Sequence, residues 1–143
     1  MRVSTKGRYA LRLMIDLAVH DSGEYTALKD VSARQGVSIK YLEQIVSLLG
    51  KAGLLKSIRG LQGGYRLARA PEEYTAGEIL RLTEGSLTPV PCLDDRPNQC
   101  PRYAGCSTAA FWEGLEKAVS DYVDGVTLAD LVWQETERGR DKI

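Results

Sequence analysis

Apolar residues recur at helical spacing in six stretches of this chain, and two short strand-like runs interrupt them. From Gly7 to Val19, Tyr9, Ala10, Leu13, Met14, Leu17 and Ala18 share one side of a helix, while Arg8, Arg12 and Asp16 mark the polar side. Ser4 or Thr5 is placed to cap it. After a turn at Ser22-Gly23, Thr26 is read as the cap of a short helix with Leu28 and Val31 inward, ending at Gly36. Val37-Ser38 opens a third helix with Ile39, Leu42, Ile45, Val46 and Leu49 as its apolar positions, closed by Gly50 and Gly53. Residues 54–58 predict a strand, 59–64 a glycine-rich turn and 65–68 a returning strand. Thr75 and Glu78 have the spacing of a capping box, ahead of a short helix through Ile79, Leu80 and Leu82 to Gly85. A long helix over about 108–124 carries Phe111, Trp112, Leu115, Val119, Tyr122 and Val123 on one face. A last short helix follows Thr127 with Leu128, Leu131, Val132 and Trp133, and the charged tail 137–143 is expected to fray.

Two short helices around a tight glycine-containing turn, with a Ser-capped third helix and then a hairpin, follow the order of a winged helix. The expected fold class is mostly α with a small β-hairpin wing: a winged helix-turn-helix domain plus a long dimerisation helix. The expected organisation is a DNA-binding unit over 1–85, a cysteine-rich loop over 86–106, and the dimerisation and C-terminal helices over 107–143. The long helix reads either as core-facing or as a twofold seam through Phe111, Trp112, Leu115, Val119, Tyr122 and Val123. The seam is preferred, because paired recognition helices need a dimer to set their separation.

Charge sharpens this picture. Net charge is zero, yet residues 1–69 hold twelve Lys/Arg against five Asp/Glu, and residues 70–143 hold seven against fourteen. A basic first half carrying a helix-turn-helix suits double-stranded DNA as partner. The expected base contacts are Ser38, Lys40, Tyr41, Glu43 and Gln44 at the start of the third helix. There Glu43 has an acceptor for cytosine N4 and Gln44 a bidentate match to adenine. Arg59 at the wing tip suits a minor groove. Arg2, Lys6, Lys56 and Arg66 suit phosphates, and Ser4 and Ser57 lie beside them. The other reading of each residue is an ordinary solvated surface group.

All three cysteines, Cys92, Cys100 and Cys106, fall in one window that also holds Pro89, Pro91, Pro97 and Pro101. Prolines at that density exclude a helix interior or central strand. An odd thiol count, no signal-like segment and no apolar run of membrane-spanning length point to the cytoplasm and away from a membrane partner. Thiols gathered on one loop suggest a soft metal, although incidental free cysteines remain the plain alternative. The C-x7-C-x5-C spacing lacks the close pairs of a zinc site and suits an iron–sulfur cluster better. His20 is the only histidine and lies far off in sequence, so Asp94, Asp95, Ser107, a partner-chain group or a small molecule are the other candidates for a fourth ligand. No catalytic set emerges: a cysteine nucleophile lacks a nearby base, and Gly60-x-x-Gly63-Gly64 has no following Lys-Ser/Thr. The chain is not expected to be an enzyme.

The opening Arg2-Val3-Ser4-Thr5-Lys6-Gly7-Arg8-Tyr9-Ala10 after Met1 resembles the start of the Rrf2 family of bacterial winged-helix regulators. So do Tyr41-Leu42-Glu43-Gln44, Gly53-Leu54-Leu55-Lys56-Ser57-Ile58-Arg59-Gly60 and Gly63-Gly64-Tyr65. The resemblance implies a homodimeric repressor joined through the long helix, with a cluster on Cys92, Cys100 and Cys106 tuning operator affinity. A [2Fe-2S] cluster is favoured over [4Fe-4S], and iron–sulfur assembly or sulfur and cysteine genes are the implied targets. It also implies that Glu43 separates operator classes when the cluster is lost. Members that bind a cluster complete its coordination with a histidine three residues past the last cysteine or an aspartate on the partner's first helix; Ala109 and Arg8 stand there here. The stretch Leu82-Thr83-Glu84-Gly85 to Pro89-Val90 resembles instead a cluster-free branch, which implies the alternative of sensing thiol oxidation or a cysteine-metabolism enzyme.

Overall fold

Ser4 starts the first helix by turning its hydroxyl onto the Gly7 amide at 3.0 Å, which satisfies one of the orphan N–H groups of the first turn. In the computed structural model, which describes residues 2–141, α1 (Thr5–Val19) buries Ala10, Leu13, Met14 and Leu17. Met1, Lys142 and Ile143 lie outside the described residues, so the end of the expected fraying tail is not covered. Its described part, from Glu137, continues α6 (Leu128–Asp141) as helix.

Asp16 does not mark a polar face. It is 2 % exposed, and its carboxylate accepts from Arg34 at 2.7 and 3.0 Å and from Gln35 at 2.9 Å. That ion pair ties α1 to α2 (Leu28–Gln35). Hydrogen bonding to Asp16 raises the Arg34 pKa against the opposing effect of burial.

The cap of α2 is Ala27, without a side-chain hydrogen bond, and not Thr26. Thr26 is spent in a β-bridge: its amide donates to the Tyr65 carbonyl at 2.9 Å and its carbonyl accepts from the Tyr65 amide at 2.8 Å. This bridge fastens the wing, β1 (Leu55–Ile58) antiparallel to β2 (Gly64–Leu67), to the segment before α2. It also explains Gly64, where a Cβ would sit 2.2 Å from the Thr26 carbonyl oxygen, whereas a Cβ at Gly63 would meet the turn itself, 2.6 Å from the Ile58 carbonyl oxygen.

Between α2 and the wing, Ser38 caps α3 (Ile39–Lys51) by accepting from the Tyr41 amide at 3.1 Å. Leu42, Ile45, Val46 and Leu49 bury one face of α3 in a common core with Leu13, Met14, Val31, Leu54, Leu67 and Ile79. Ile39, expected inward, is 43 % exposed.

Tyr74, which no sequence pattern singled out, sits in the middle of that core at 0 % exposure. Its hydroxyl donates to the Leu54 carbonyl at 2.6 Å and accepts from the Ala68 and Arg69 amides at 2.9 and 3.0 Å. One side chain thus joins the entry and exit of the wing. Tyr74→Phe leaves the Arg69 amide without this partner and keeps the packing, while the Leu54 carbonyl and the Ala68 amide retain their own bond at 3.2 Å; it is expected to lower the unfolding free energy by about 2 kcal/mol. A urea midpoint that moves by less than a third of that, at unchanged slope, contradicts this role.

Thr75 caps α4 (Ala76–Glu84) by accepting from the Glu78 amide, but the expected reciprocal bond is missing. The Glu78 carboxylate is taken by Arg69 at 2.6 and 3.3 Å. After the cysteine loop, α5 (Ala109–Gly125) runs without a single buried residue. It is fixed to α4 by a two-point Arg81–Asp124 pair at 2.6 and 3.0 Å. The chain then returns to the first unit: Thr127 and Asp130 cap α6 reciprocally, Leu128 is fully buried in the shared core, and its amide donates to the Tyr74 carbonyl at 3.0 Å.

Candidate nucleic-acid interface and cysteine loop

With one face of α3 buried, its opposite stripe of Lys40, Glu43 and Gln44 is exposed at the start of the helix, beside Ser38. Tyr41 is the exception among the expected base contacts. It is half-buried, with its ring edge-on to Tyr9 of α1 at 5.9 Å, so part of it is spent on holding α3 against α1. On the wing, Lys56, Ser57 and Arg59 are exposed. Arg66 pairs with Lys56 across the strands, is half-buried, donates to the Gly23 carbonyl at 3.0 Å and lies over the Tyr25 ring. It staples the wing to the turn before Thr26 as well as adding charge. Arg69 is fully engaged by Glu78, the Glu73 carbonyl and the Tyr74 ring, so the hairpin's outward charge comes chiefly from Lys56 and Arg59.

At the N-terminus, Arg2 is exposed, Lys6 half-buried, and Ser4 lies between them. Ser4 donates its hydroxyl to one Glu84 oxygen at 2.6 Å and its amide to the other. Burial alone would raise the Glu84 pKa, but the hydrogen bonds from Ser4 outweigh it and hold the carboxyl below its ordinary value. Asp124 is lowered as well, first by its hydrogen bonds from Arg81.

Both shifts fix the sign of a pH dependence. Groups depressed on folding contribute stability that is complete above their ordinary values, 4.5 for Glu84 and 3.8 for Asp124, and is lost as pH falls through the lower folded values. Unfolding free energy is therefore expected to be level near neutrality and to decline in acid. Arg81→Ala, which frees Asp124, should make that decline shallower. An unchanged acid slope in Arg81→Ala contradicts the assignment.

The cysteine loop is held by its own polar side chains. Asp94 accepts from the Ser86 hydroxyl at 2.8 Å and from Thr88, and these bonds lower its pKa, Thr88 the most. Asn98 bridges the first two cysteines: its amide donates to the Cys92 carbonyl at 2.6 Å and its oxygen accepts from the Cys100 amide at 2.8 Å. No sequence pattern singled out Asn98, although an Asn between prolines and two cysteines signals a local side-chain-to-backbone turn. Leu93 anchors the loop in apolar contact, and Arg96 reaches Glu116 of α5 at 3.0 Å.

All three thiols are free, Cys92 and Cys106 exposed and Cys100 half-buried. Cys106 lies 3.5 Å from the Thr108 hydroxyl, whose hydrogen bond is the main cause of its lowered pKa. The donor set suits a cluster in softness, and its three thiolates are one short of the four ligands such a cluster takes. It is not closed into a cage, since among the described residues no three of His, Cys, Asp and Glu converge as metal ligands. His20 is elsewhere, at the end of α1, with Nδ1 on the Asp16 carbonyl at 2.9 Å. Asp94 is occupied as described, and Asp95 and Ser107 are exposed.

The six apolar residues of α5 divide into two stripes. Val119 and Val123 share a groove with Val3, Leu80 and Leu87, facing α4. Phe111 and Tyr122 point away, 65 % and 70 % exposed, with Leu115 half-buried between them. Trp112 packs edge-on against Phe111 and donates to Thr108 at 3.2 Å.

Comparison with known proteins agrees with this architecture. Residues 3–134 match the family described as Rrf2, iron-dependent transcriptional regulator. The curated protein rrf2 of Nitratidesulfovibrio vulgaris is 39% identical over 132 residues, covering 92% of this chain and 87% of that protein. The structure of CymR, the global cysteine regulator of B. subtilis, superposes with a TM-score of 0.78 at 40% identity, covering 94% of this chain and 98% of that one. T. potens IscR superposes with a TM-score of 0.76, also at 40% identity, covering 96% and 90%. Among the described residues, no helix is long and apolar enough to cross a membrane.

Proposed function

The chain belongs to the Rrf2 family of winged-helix, DNA-binding transcriptional regulators and is not an enzyme, and from that premise we propose that its operator affinity is set by the state of its cysteine loop. The observation that carries this reading is where the loop is tied. Its first residue follows the end of α4, whose Glu84 grips the N-terminus of α1, and Arg96 pairs with Glu116 on α5. A change in how the three thiols are held therefore acts on the DNA-binding unit, 1–85, and on the dimerisation and C-terminal helices, 107–143.

Cys92, Cys100 and Cys106 are the residues that would hold an iron–sulfur cluster, preferentially [2Fe-2S]. When bound, such a cluster supplies a link among the thiolates that is sensitive to iron supply and oxidants. Free thiols on one loop and the iron-dependent family description support this assignment. At the DNA, Lys40, Glu43 and Gln44 read base edges in the major groove, with Ser38 and Tyr41 flanking them, and Arg59 enters the minor groove. Arg2, Lys6, Lys56 and Arg66, with Ser4 and Ser57 beside them, fix register on phosphates. A homodimer joined through α5 presents two recognition helices about one DNA turn apart. The genes under control belong to iron–sulfur assembly or to sulfur and cysteine metabolism.

Anaerobic purification of the full chain tests the cluster directly. A coloured protein containing iron and acid-labile sulfide is expected; a colourless, iron-free preparation contradicts it. The likeness to CymR, a cysteine regulator, favours one second reading: a cluster-free repressor that senses thiol oxidation or a cysteine-metabolism enzyme. Oxidant-driven release of DNA by iron-free protein is its signature.

A further inference from the structure

We propose that Glu84 is a positioning residue for DNA binding, which through Ser4 holds the N-terminal arm so that Arg2 and Lys6 meet phosphate oxygens. The inference rests on the reading of Arg2 and Lys6 as phosphate contacts and adds the device that places them. Ser4 spends three hydrogen-bonding functions at one point. Its amide and hydroxyl both donate to the Glu84 carboxylate, while its oxygen accepts from the Gly7 amide at 3.0 Å. The same hydroxyl thus starts α1 and ties that start to the last residue of α4, 80 positions away.

The approach is close on both sides. A Cβ at Gly7 would lie 2.9 Å from the Val3 side chain, 3.0 Å from the Thr83 hydroxyl and 3.2 Å from the Glu84 carboxyl carbon, so a larger residue there would push these side chains, Glu84 among them, out of their present places. Arg2 and Lys6 stand two residues to either side of the pinned serine, so their backbone positions follow it. A carboxylate at the start of a helix is also favourable to the helix dipole. As the last residue of α4, two before the cysteine loop opens at Ser86, Glu84 is the point at which movement of that loop reaches the arm.

The sign of the expected effect separates positioning from simple charge. Removing an acid near DNA by itself strengthens binding. Glu84→Gln, which keeps the size but offers one acceptor oxygen for two donors, is expected instead to weaken binding roughly tenfold and to lower the salt slope by about 0.9 for each phosphate no longer neutralised. The measurement is fluorescence anisotropy of the full-length protein, kept iron-free with chelator, on a duplex recovered by selection from a random pool, titrated at several salt concentrations. Lys6→Ala should lower the slope by about 0.9 in the parent and add nothing in the Glu84→Gln background. Ser4→Ala, which removes the hydroxyl that Glu84 holds, should lower the slope as Glu84→Gln does.

A Glu84→Gln protein with the parent slope, even if its melting temperature falls, overturns the proposal and leaves the phosphate-binding roles of Arg2 and Lys6 standing. Arg2→Ala and Lys6→Ala proteins that both keep the parent slope overturn those roles and the proposal together. The cluster reading is untouched by either result, because it is decided by colour, iron and sulfide.

Discussion

Cys92→Ala is expected to purify without colour under anaerobic conditions, with iron and sulfide reduced to background, and to keep the fold and thermal stability of the parent. The expectation of an unharmed fold has a local basis. Cys92 sits in the short turn Pro91–Leu93, where the neighbouring Leu93 supplies the buried contact and Asn98 holds the Cys92 carbonyl. Alanine keeps both, since neither uses the thiol. Loss of colour therefore reports the sulfur alone, and three protein thiolates leave no spare ligand to replace it. Retained iron and sulfide at parent stoichiometry in Cys92→Ala would show that the ligands lie elsewhere.

If the proposed α5 seam joins two copies, Tyr122→Asp is expected to yield a monomer and to weaken operator binding on the order of 10²–10⁴-fold. Tyr122 is 70 % exposed and lies, with Phe111 and Leu115, on the side of α5 turned away from α4, so the substitution removes nothing from the protomer's own core. In a seam, each protomer would bury a carboxylate against its twofold copy, and like charges in an apolar contact are not tolerated. A monomer keeps its single recognition helix but loses the second half-site, and with it the gain from linked binding that the fold-range expresses. Sedimentation and anisotropy on the same sample read both effects. A dimer that persists with parent affinity assigns the outer stripe of α5 to another use.

The sequence was most legible where local chemistry decides structure. Ser38 caps α3 because a hydroxyl just ahead of a helical stripe has only the first-turn amides to serve, and the stripe behind it buries as its spacing requires. The wing followed from its paired glycines. Where the expectation failed, a distant partner had taken the group. Thr26 reads as a cap until Tyr65 claims its backbone, and Glu78 completes a capping box only until Arg69 claims its carboxylate. Asp16 reads as solvent-facing because nothing nearby in sequence foretells Arg34 and Gln35 eighteen and nineteen residues on.

The same limit governs the site. The donors and cations were visible as residue types, but their division of labour was not. Arg66 and Arg69 look alike in the hairpin, yet Arg69 is engaged inside the fold while Arg66 is only partly so. The three thiols announce themselves by spacing, whereas the Asn98 bridge between Cys92 and Cys100 and the Arg96 tether to α5 are tertiary facts. Tyr74 was invisible for the same reason, since its three hydrogen bonds go to backbone groups set by the wing.

Whether the cysteine loop sets operator affinity is decided by one anaerobic titration. Cluster-loaded protein and the same protein stripped by chelator are compared on a selected duplex at fixed salt. The dissociation constants are expected to differ by roughly 5–150-fold, the usual span of coupling between two sites. Equal dissociation constants for loaded and stripped protein would contradict it.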